Sequence, residues 1–298
     1  MKTWLEYAFF QALKSAFIVL PRPLCLAAGR AFGGLVFFLD GRHRRIALAN
    51  LETAFGHDKS SFDRRSIALQ SFRHFGAVMA DVLKLMSSHR LPENSIAAVE
   101  GEEHVAAALG RGKGAIIFTA HFGNWELGIS YFSRLGRLNV IARALDNELL
   151  EAELAGLRRA LGARVIDKKL AAKPILQALR RGEMVAILID QNVLRSEAVF
   201  VPFFGKAAAT TPAVGAFCLR TGAPVLPAFA YPASKSTYRL KFLEPLEFEP
   251  GGDVRRDVLK ITEICTNIIE NEIRRNPGYW LWFHDRWRTR PVEEQKKP

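Results

Sequence analysis

The later two thirds of the chain alternate short apolar runs with amphipathic segments, and this alternation restricts the fold more than any other feature. The apolar runs have the length of buried strands and lie at 115–120, 138–143, 163–167, 184–190, 223–231 and 238–243. The amphipathic segments are predicted as helices at 124–134, 147–161, 171–181, 211–221 and 254–275. Such alternation predicts an α/β fold with a mostly parallel sheet flanked by helices.

The N-terminal part has a different pattern. Residues 4–39 are strongly apolar, but they are interrupted by four charged residues, which are Glu6, Lys14, Arg22 and Arg30. No uninterrupted run reaches the roughly 18 apolar residues expected of a spanning helix. Pro21 and Pro23 are expected to divide the segment into two helices.

A basic cluster, Arg42-His43-Arg44-Arg45, follows these apolar helices directly. Apolar helices followed by arginines favour an element that lies on an anionic membrane surface from the cytoplasmic side. The alternative is a buried helical hairpin with solvated arginines at its end. We therefore divide the chain into residues 1–45, apolar membrane-associating helices, and residues 46–298, an α/β catalytic domain in which 60–88 forms one long helix.

The formal net charge of +12 indicates an anionic partner: nucleic acid, a phosphorylated lipid surface or an acidic carrier protein. Nucleic acid is disfavoured, because the basic residues are dispersed and show no zinc-finger spacing. The histidines are scattered without a metal-binding motif, and no phosphate-binding glycine loop or serine-hydrolase elbow occurs. The cysteines Cys25, Cys218 and Cys265 are interpreted as reduced packing residues. No metal is predicted.

One stretch, TAHFGNWE at 119–126, combines several chemically useful residues at the end of a predicted strand. Sites in open α/β sheets lie at the carboxyl ends of strands, which is where His121 is expected. Gly123 permits a turn or close approach to a substrate, and Asn124 is a good helix N-cap. Glu126 then falls in the first helical turn, where its carboxylate can orient the His121 imidazole as a general base. On these residues alone, a core histidine with a capping glutamate remains an equal alternative.

The segment HFGNWE resembles the His-x4-Asp/Glu motif of the glycerolipid acyltransferase superfamily. Its Gly-Asn-Trp-Glu form resembles the bacterial lipid A late acyltransferases of the lauroyl and myristoyl type. Further blocks of the same family are similar to segments along nearly the whole chain: NLETAFG at 50–56, IARALDN at 141–147, DQN at 190–192, VFVPFFGKAAATTP at 199–212 and NPGYWLWFHDRWRTRP at 276–291.

This resemblance implies transfer of a fatty acyl chain from an acyl carrier protein thioester to a hydroxyl of a lipid A precursor. His121 would be the general base and Glu126 its orienting partner, with direct attack, no acyl-enzyme and no cofactor. The expected partners are an acyl carrier protein, a phosphorylated glycolipid and an anionic membrane surface, at the cytoplasmic face of a Gram-negative-type inner membrane. Two alternatives stay open: transfer from acyl-CoA to another glycolipid or lysophospholipid, and a non-catalytic lipid-binding protein of the same fold.

The similar blocks supply further candidate substrate-binding residues. Arg143 ends a predicted strand and is expected to bind phosphate or a carbonyl group. Asn147 either contacts substrate or caps the following helix. The remaining candidates lie in the later blocks and are Asp190, Gln191, Phe203, Phe204 and Arg286. The two phenylalanines, placed in a loop, either line an acyl channel or membrane contact or close the core. Trp125 has no assigned role.

Overall fold

The computed structural model describes residues 2–88 and 95–292. Four helices come first: α1 (Lys2–Val19), α2 (Arg22–Leu39), α3 (Gly41–Phe55) and α4 (Ser61–Ser88). Strands and helices then alternate, in the order β1 (Ile96–Glu100), α5 (Glu102–Gly110), β2 (Ala115–Thr119), α6 (Trp125–Leu135), β3 (Leu138–Ala142), α7 (Glu148–Ala160), β4 (Ala163–Asp167), α8 (Ala172–Arg180) and β5 (Met184–Leu188). The last elements are β6 (Val199–Phe203), β7 (Lys206–Thr210), α9 (Ala213–Thr221), β8 (Val225–Pro232), β9 (Tyr238–Phe242) and α10 (Val254–Arg275).

The main sheet has seven strands in the order β1-β9-β8-β2-β5-β3-β4. Neighbours from β8 to β4 pair in parallel, β9 pairs antiparallel with β8, and β1 pairs in parallel with β9. The predicted α/β fold with a mostly parallel sheet is thereby confirmed. All six predicted strands and all six predicted helices are present, with ends that differ by two residues at most.

Helices α3 and α5, strand β1 and the β6–β7 hairpin were not predicted. Strand β1 is short, alanine-rich and half-exposed, and it lies at the edge of the sheet beside β9. Strands β6 and β7 form a separate antiparallel hairpin where a loop was predicted, because Pro202 argues against a strand in the sequence. Its two-residue turn, Phe204 (φ 51°) and Gly205 (φ 74°), has the two positive φ values of a tight hairpin turn.

Side chains alternate across the central strands and build two cores, one on each face of the sheet. Val185 and Ile187 of β5 join the first core with residues of α8 and α10, including Ile175 and Ile269. Met184 and Ala186 point to the opposite face and join the second core, which includes residues of α4, α6 and α7 such as Met86 and Leu157. The sheet is thus covered on both faces.

The N-terminal helices divide as predicted, since Pro21 separates α1 from α2. α2 crosses α4 at very short range: a Cβ on Gly33 would lie 2.1 Å from the Phe72 carbonyl oxygen. Within the described residues, α2 alone is long and apolar enough to be a candidate membrane span, a test that buried core helices also pass. The division of the chain after residue 45 stays a prediction, and it falls inside α3.

Candidate active site

Three adjacent parallel strands deliver the polar residues of the site to one edge of the sheet. β2 leads to His121, β3 leads to Arg143 and β5 leads to Asp190. Because these strands pair in parallel, their carboxyl ends meet at the same edge. Residues distant in the sequence therefore surround one cavity.

Asp190 holds the imidazole of His121. Its Oδ1 lies 2.9 Å from His121 Nδ1, and its Oδ2 accepts from the His121 backbone N–H at 2.9 Å. The Trp280 indole N–H donates to the same Oδ2 at 2.8 Å. Burial raises the pKa of the Asp190 carboxyl. The nearby His121 and the hydrogen bonds from His121 and Trp280 lower this pKa by a larger amount, so the net pKa lies below its ordinary value. Asp190 is therefore an ionised, fully oriented acceptor.

The other ring nitrogen of His121 faces the cavity. An ionised Asp190 carboxylate can only accept hydrogen bonds. The proton between Asp190 and His121 is therefore on Nδ1 of the imidazole, and Nε2 keeps its lone pair. Nε2 lies 3.3 Å from Gln191 Nε2, and the His121 side chain is 21% exposed. In the neutral ring, this tautomer leaves the Nε2 lone pair available to a group in the cavity.

Glu126 does not bond to His121, which corrects the predicted His121–Glu126 pair. Arg158 of α7 lies opposite the first turn of α6 and presents its fork to this carboxylate: Nε donates to Oε2 at 3.1 Å and Nη2 contacts Oε1. The Trp125 indole N–H also donates to Oε1, at 3.2 Å. Glu126 is thus bound to Arg158, and Asp190 is the carboxylate that orients the His121 imidazole. The spacing of residues in the sequence could not reveal the His121–Asp190 pair, because that pair depends on β2 and β5 being neighbours in the sheet.

Trp125, which had no predicted role, forms part of the wall beside the imidazole. Its ring centroid lies 5.1 Å from that of His121 in an edge arrangement. It also packs against Phe75 of α4. The indole therefore connects His121, Glu126 and α4 in one wall.

Gly123 and Asn124 shape the turn after His121, and their assignment as substrate-binding residues remains a prediction. Gly123 has φ 60°, and a Cβ there would lie 1.6 Å from the Ala230 carbonyl oxygen. Asn124 is fully buried, caps α6 by accepting from the Leu127 N–H at 3.3 Å, and donates to Asp81 at 3.1 Å. The N-cap prediction for Asn124 is confirmed.

Arg143 and Asn147 lie in the loop after β3 but differ in access. Arg143 is exposed, lines the cavity and contacts Asp146 at 3.4 Å, and its predicted phosphate binding remains a prediction. Asn147 is buried, caps α7 through the N–H groups of Leu149 and Leu150, and donates to the Thr3 carbonyl of α1 at 3.1 Å. Its capping role is confirmed, and its assignment as a substrate ligand remains a prediction.

Apart from Asp190, the candidate residues after position 190 comprise one that lines the cavity, Gln191, and three that are buried in the core, Phe203, Phe204 and Arg286. Gln191 lines the cavity beside His121. Phe203 and Phe204 are buried and belong to the core, as the core alternative expected, and neither is among the residues that line the cavity, so substrate contact by these two residues remains a prediction.

Arg286 is also buried, and its assignment as a ligand residue remains a prediction. Its Nη1 donates to the Ala209 carbonyl at 2.6 Å and its Nη2 to Thr210 Oγ1 at 2.6 Å. Burial, opposed by nearby Asp190, lowers the pKa of Arg286 to about 10. Arg286 therefore joins β7 to the C-terminal segment.

The cavity in front of His121 has a volume of about 1000 Å³. Its polar lining includes His121, Gln191, Arg143, Glu126 and Arg158, and most of its other lining residues are apolar. A volume and lining of this kind accommodate a ligand with a long hydrocarbon part and a reactive polar group.

Known proteins are similar in sequence to this chain over most of its length. The chain is 28% identical over 283 residues to a lipid A biosynthesis palmitoleoyltransferase of Escherichia coli, covering 93% of this chain and 89% of that protein. It is 27% identical over 280 residues to the lipid A biosynthesis lauroyltransferase of the same organism, covering 92% and 88%. A phosphatidylinositol mannoside acyltransferase of Mycobacterium tuberculosis is 24% identical over 224 residues, covering 73% and 69%.

The family model described as bacterial lipid A biosynthesis acyltransferase matches residues 1–289. This match spans the N-terminal helices, the His121 turn, the Asp190 strand end and the C-terminal segment that donates to Asp190. The chain therefore belongs to the bacterial lipid A biosynthesis acyltransferase family and is an O-acyltransferase.

Proposed function

We propose that this acyltransferase moves a fatty acyl group from an acyl carrier protein thioester to a hydroxyl of a lipid A precursor. The observation that carries the proposal is the cavity-facing Nε2 of His121, whose opposite nitrogen is held by the buried Asp190 at 2.9 Å. The largely apolar cavity of about 1000 Å³ supports a fatty acyl substrate. The relatives named as lipid A acyltransferases support the acceptor class.

The reaction needs one base and no protein nucleophile. Nε2 of His121 takes the proton of the acceptor hydroxyl while its oxygen forms a bond to the thioester carbonyl carbon. The resulting tetrahedral intermediate breaks its carbon–sulfur bond, and the leaving thiolate takes the proton back from the imidazolium. Asp190 stabilises the imidazolium while it exists. The products are an ester on the acceptor and the free carrier thiol, without an acyl-enzyme, a metal or a cofactor.

Glu126 acts in this proposal through Arg158. Glu126 binds Nε and Nη2 of the guanidinium, which leaves Nη1 with the capacity to bind a substrate oxygen. Arg158 lines the same cavity as His121. A fixed cation on the wall of a dry cavity stabilises the negative charge that develops on the thioester oxygen. Glu126 is then a positioning residue for Arg158.

The surface charge and the N-terminal helices support the proposed partners. A net charge of +12 favours an acidic carrier protein, a phosphorylated glycolipid and an anionic bilayer. Large apolar side chains are exposed along α1 and α2, including Trp4, Leu5, Phe32, Leu35 and Phe38. We place the enzyme at the cytoplasmic face of the inner membrane, where these side chains enter the lipid.

The similarity to a phosphatidylinositol mannoside acyltransferase supports a second acceptor class. That acceptor class and a lipid A precursor share a hydroxyl on a phosphorylated glycolipid. Arg143, exposed at the cavity, offers a phosphate contact for either one. The shared chemistry is therefore acylation of a phosphorylated glycolipid, and an assay with both acceptors separates the two candidates.

A transfer assay with purified protein tests the proposal. It measures ester formation from an acyl carrier protein thioester and a lipid A precursor. His121→Ala is expected to lower the rate on the order of 10²-fold or more, because the general base is lost. His57→Ala, which changes an exposed histidine, is the matched control and is expected to retain the rate. An unchanged rate in His121→Ala would refute the proposed role of His121.

A further inference from the structure

Strand pairing does not extend as far as His121 and Asp190. The β2–β5 ladder ends with the pair Thr119 and Leu188, and His121 and Asp190 each follow two residues later. The Ile189 N–H also donates to the Thr119 carbonyl oxygen, at 3.2 Å. The position of the Asp190 carboxylate relative to the His121 imidazole therefore depends on the contacts that hold the two strand ends beyond the ladder.

Beyond the ladder, the C-terminal segment, which we define as residues 279–289, contacts both strand ends. On the side of β2, the Leu281 N–H donates to the His121 carbonyl oxygen at 3.2 Å. The Tyr279 carbonyl oxygen accepts from the Gly123 N–H at 2.9 Å. The segment thus fixes the backbone of the turn that carries His121.

The same segment holds the residues that follow β5. The Trp280 indole N–H donates to Asp190 Oδ2 at 2.8 Å. The buried Arg286 donates through Nη1 to the Gln191 carbonyl oxygen at 3.4 Å. Trp280 therefore orients the carboxylate directly, and Arg286 fixes the backbone of the next residue, whose side chain lines the cavity.

Asn192 is held by the segment through both its backbone and its side chain. Its backbone N–H donates to His284 Nε2 at 3.0 Å. Its side-chain Nδ2 donates to Thr289 Oγ1, and its Oδ1 accepts from the Thr289 N–H, both at 3.0 Å. The chain is thereby fixed two residues after Asp190, on the side opposite to the β2–β5 ladder in the sequence.

The bond to Asn192 requires His284 to be neutral. Nε2 accepts the N–H through its lone pair, so the ring proton is on Nδ1. Burial lowers the pKa of His284 from 6.5 to about 4, an effect that the nearby Asp190 partly opposes. His284 is therefore an acceptor at neutral pH, and it adds no second cation beside Asp190.

The C-terminal segment is itself anchored by two helices. The buried Asn50 of α3 donates through Nδ2 to the carbonyl oxygens of Trp282 and His284, both at 2.7 Å. The buried Ser71 of α4 donates to the Trp280 carbonyl oxygen at 2.6 Å. A segment anchored in this way can determine the position of the strand ends that it contacts.

We infer that the C-terminal segment sets the position of Asp190 relative to His121 and that His284 is a positioning residue within it. This inference rests on the proposed function, in which Asp190 orients the general base. His284 is not among the residues that line the cavity, so it acts through the Asn192 N–H on the strand end. A displacement of a reacting group by about 1 Å can lower turnover on the order of 10²-fold.

His284→Phe and His284→Gln separate the hydrogen bond from the packing of the ring. Phenylalanine keeps a ring but has no acceptor, whereas the glutamine side-chain carbonyl can accept the Asn192 N–H. Both variants are assayed with an acyl carrier protein thioester and a lipid A precursor. We expect His284→Phe to lower kcat about tenfold or more with nearly unchanged KM for both substrates, because the reacting groups are misaligned while the cavity is intact. His284→Gln is expected to retain most of the wild-type kcat.

Asn139→Ala is the matched control, because it also removes a buried hydrogen bond. Asn139 lies near the start of β3, at the edge of the sheet opposite to His121, and its Nδ2 donates to Glu183 Oε2 at 3.0 Å. This variant is expected to unfold at a lower temperature than the wild type and to keep the wild-type kcat. An equal fall of kcat in Asn139→Ala and His284→Phe would show an effect of lost stability and would overturn the inference.

The Asp190→Asn background tests whether His284 acts through Asp190. We expect His284→Phe to lower kcat by a much smaller factor in this background than in the wild type. Equal factors in the two backgrounds, or wild-type kcat in a folded His284→Phe protein, would overturn the inference. Thr289→Val, which removes the acceptor of the Asn192 side chain, provides the same test if His284→Phe does not fold. Wild-type protein that transfers no acyl group from any donor would instead refute the proposed function, so the two failures are distinguishable.

Discussion

At the scale of single residues, the site depends on how buried polar groups are paired. Asp190 is 3% exposed, yet each of its oxygens accepts a hydrogen bond from His121, and Oδ2 also accepts one from Trp280. A buried carboxylate with these partners remains charged and immobile. Such a group fixes the tautomer of His121 and stabilises its protonated form.

Asp190→Asn tests this role while keeping the size of the side chain. The amide carries no charge to stabilise the imidazolium and can present an N–H to Nδ1, which favours the unsuitable tautomer. We expect kcat to fall on the order of 10²-fold or more with KM for the acceptor nearly unchanged. Steady-state kinetics measure both quantities. Wild-type kcat in a folded Asp190→Asn protein would contradict the assignment.

His74 makes stability depend on pH. Burial lowers the pKa of His74 from 6.5 to about 4, partly opposed by its hydrogen bond to the Gly123 carbonyl, and Arg30 lowers it further. The unfolded chain therefore binds more protons than the folded protein between these values, so stability is lost as the pH falls through this interval. We expect a loss of about 2 kcal/mol between about pH 7 and about pH 5 from this residue.

Thermal unfolding of the detergent-solubilised protein across this pH interval measures that effect. His74→Gln, which retains an N–H donor for the Gly123 carbonyl but does not titrate there, is the comparison. Its unfolding temperature is expected to fall less on acidification than that of the wild type. Equal falls would show that His74 is not the group responsible.

At the scale of elements, a buried network joins the N-terminal helices to the turn that carries His121. Arg22 of α2 binds both oxygens of Asp81 of α4 at 2.7 and 2.8 Å. Asp81 in turn accepts from Asn124, the N-cap of α6, at 3.1 Å. Because Asn124 follows His121 by three residues, the position of α2 is linked to that of the site.

Arg22→Ala tests the strength of this network. It leaves the buried Asp81 carboxylate without its cation, for which we expect a loss of about 3 kcal/mol in the free energy of unfolding. Asp81→Ala and the double variant complete a double-mutant cycle. The double variant is expected to be less destabilised than the sum of the single variants. Additive losses would show that Arg22 and Asp81 act independently.

The individual strands show how much of the fold and of the site could be predicted from the sequence. Strands β2, β3, β4, β5, β8 and β9 were predicted because the pattern of apolar residues that marks each of them is local in the sequence. His121 was correctly placed at a strand end for the same reason. The His121–Asp190 pair was missed because the order β2-β5-β3 is a property of the whole sheet. Asp190 did carry one usable signal, its position after a buried strand. Phe203 was misplaced because a hairpin containing proline lacks a strand pattern.

At the scale of the whole molecule, one apolar surface is expected to orient the enzyme on the bilayer. Phe32 and Phe38 of α2 are each 56% exposed, although α2 packs closely on α4. The basic cluster at 42–45 follows directly, and we expect it to meet anionic headgroups. The side of the cavity that is lined by Phe10 of α1 and Met79 of α4 is then expected to face the membrane.

Flotation with vesicles that contain anionic phospholipid tests this orientation. The double substitution Phe32→Asp and Phe38→Asp is expected to reduce the bound fraction strongly, because it places charges where apolar side chains enter the lipid. Leu259→Asp, which changes an exposed leucine of α10, is the control and is expected to bind as the wild type does. Undiminished flotation of the double variant would show that α2 is not the membrane contact.

The central claim is that this chain adds one acyl group to a glycolipid with His121 as the base. Mass spectrometry of lipid A tests it most directly, in Gram-negative cells that express the wild-type protein, the His121→Ala variant or neither. We expect the lipid A to be heavier by one acyl group only in the cells that express the wild-type protein. Identical lipid A masses in all three, or the same added mass with His121→Ala as with the wild type, would contradict it.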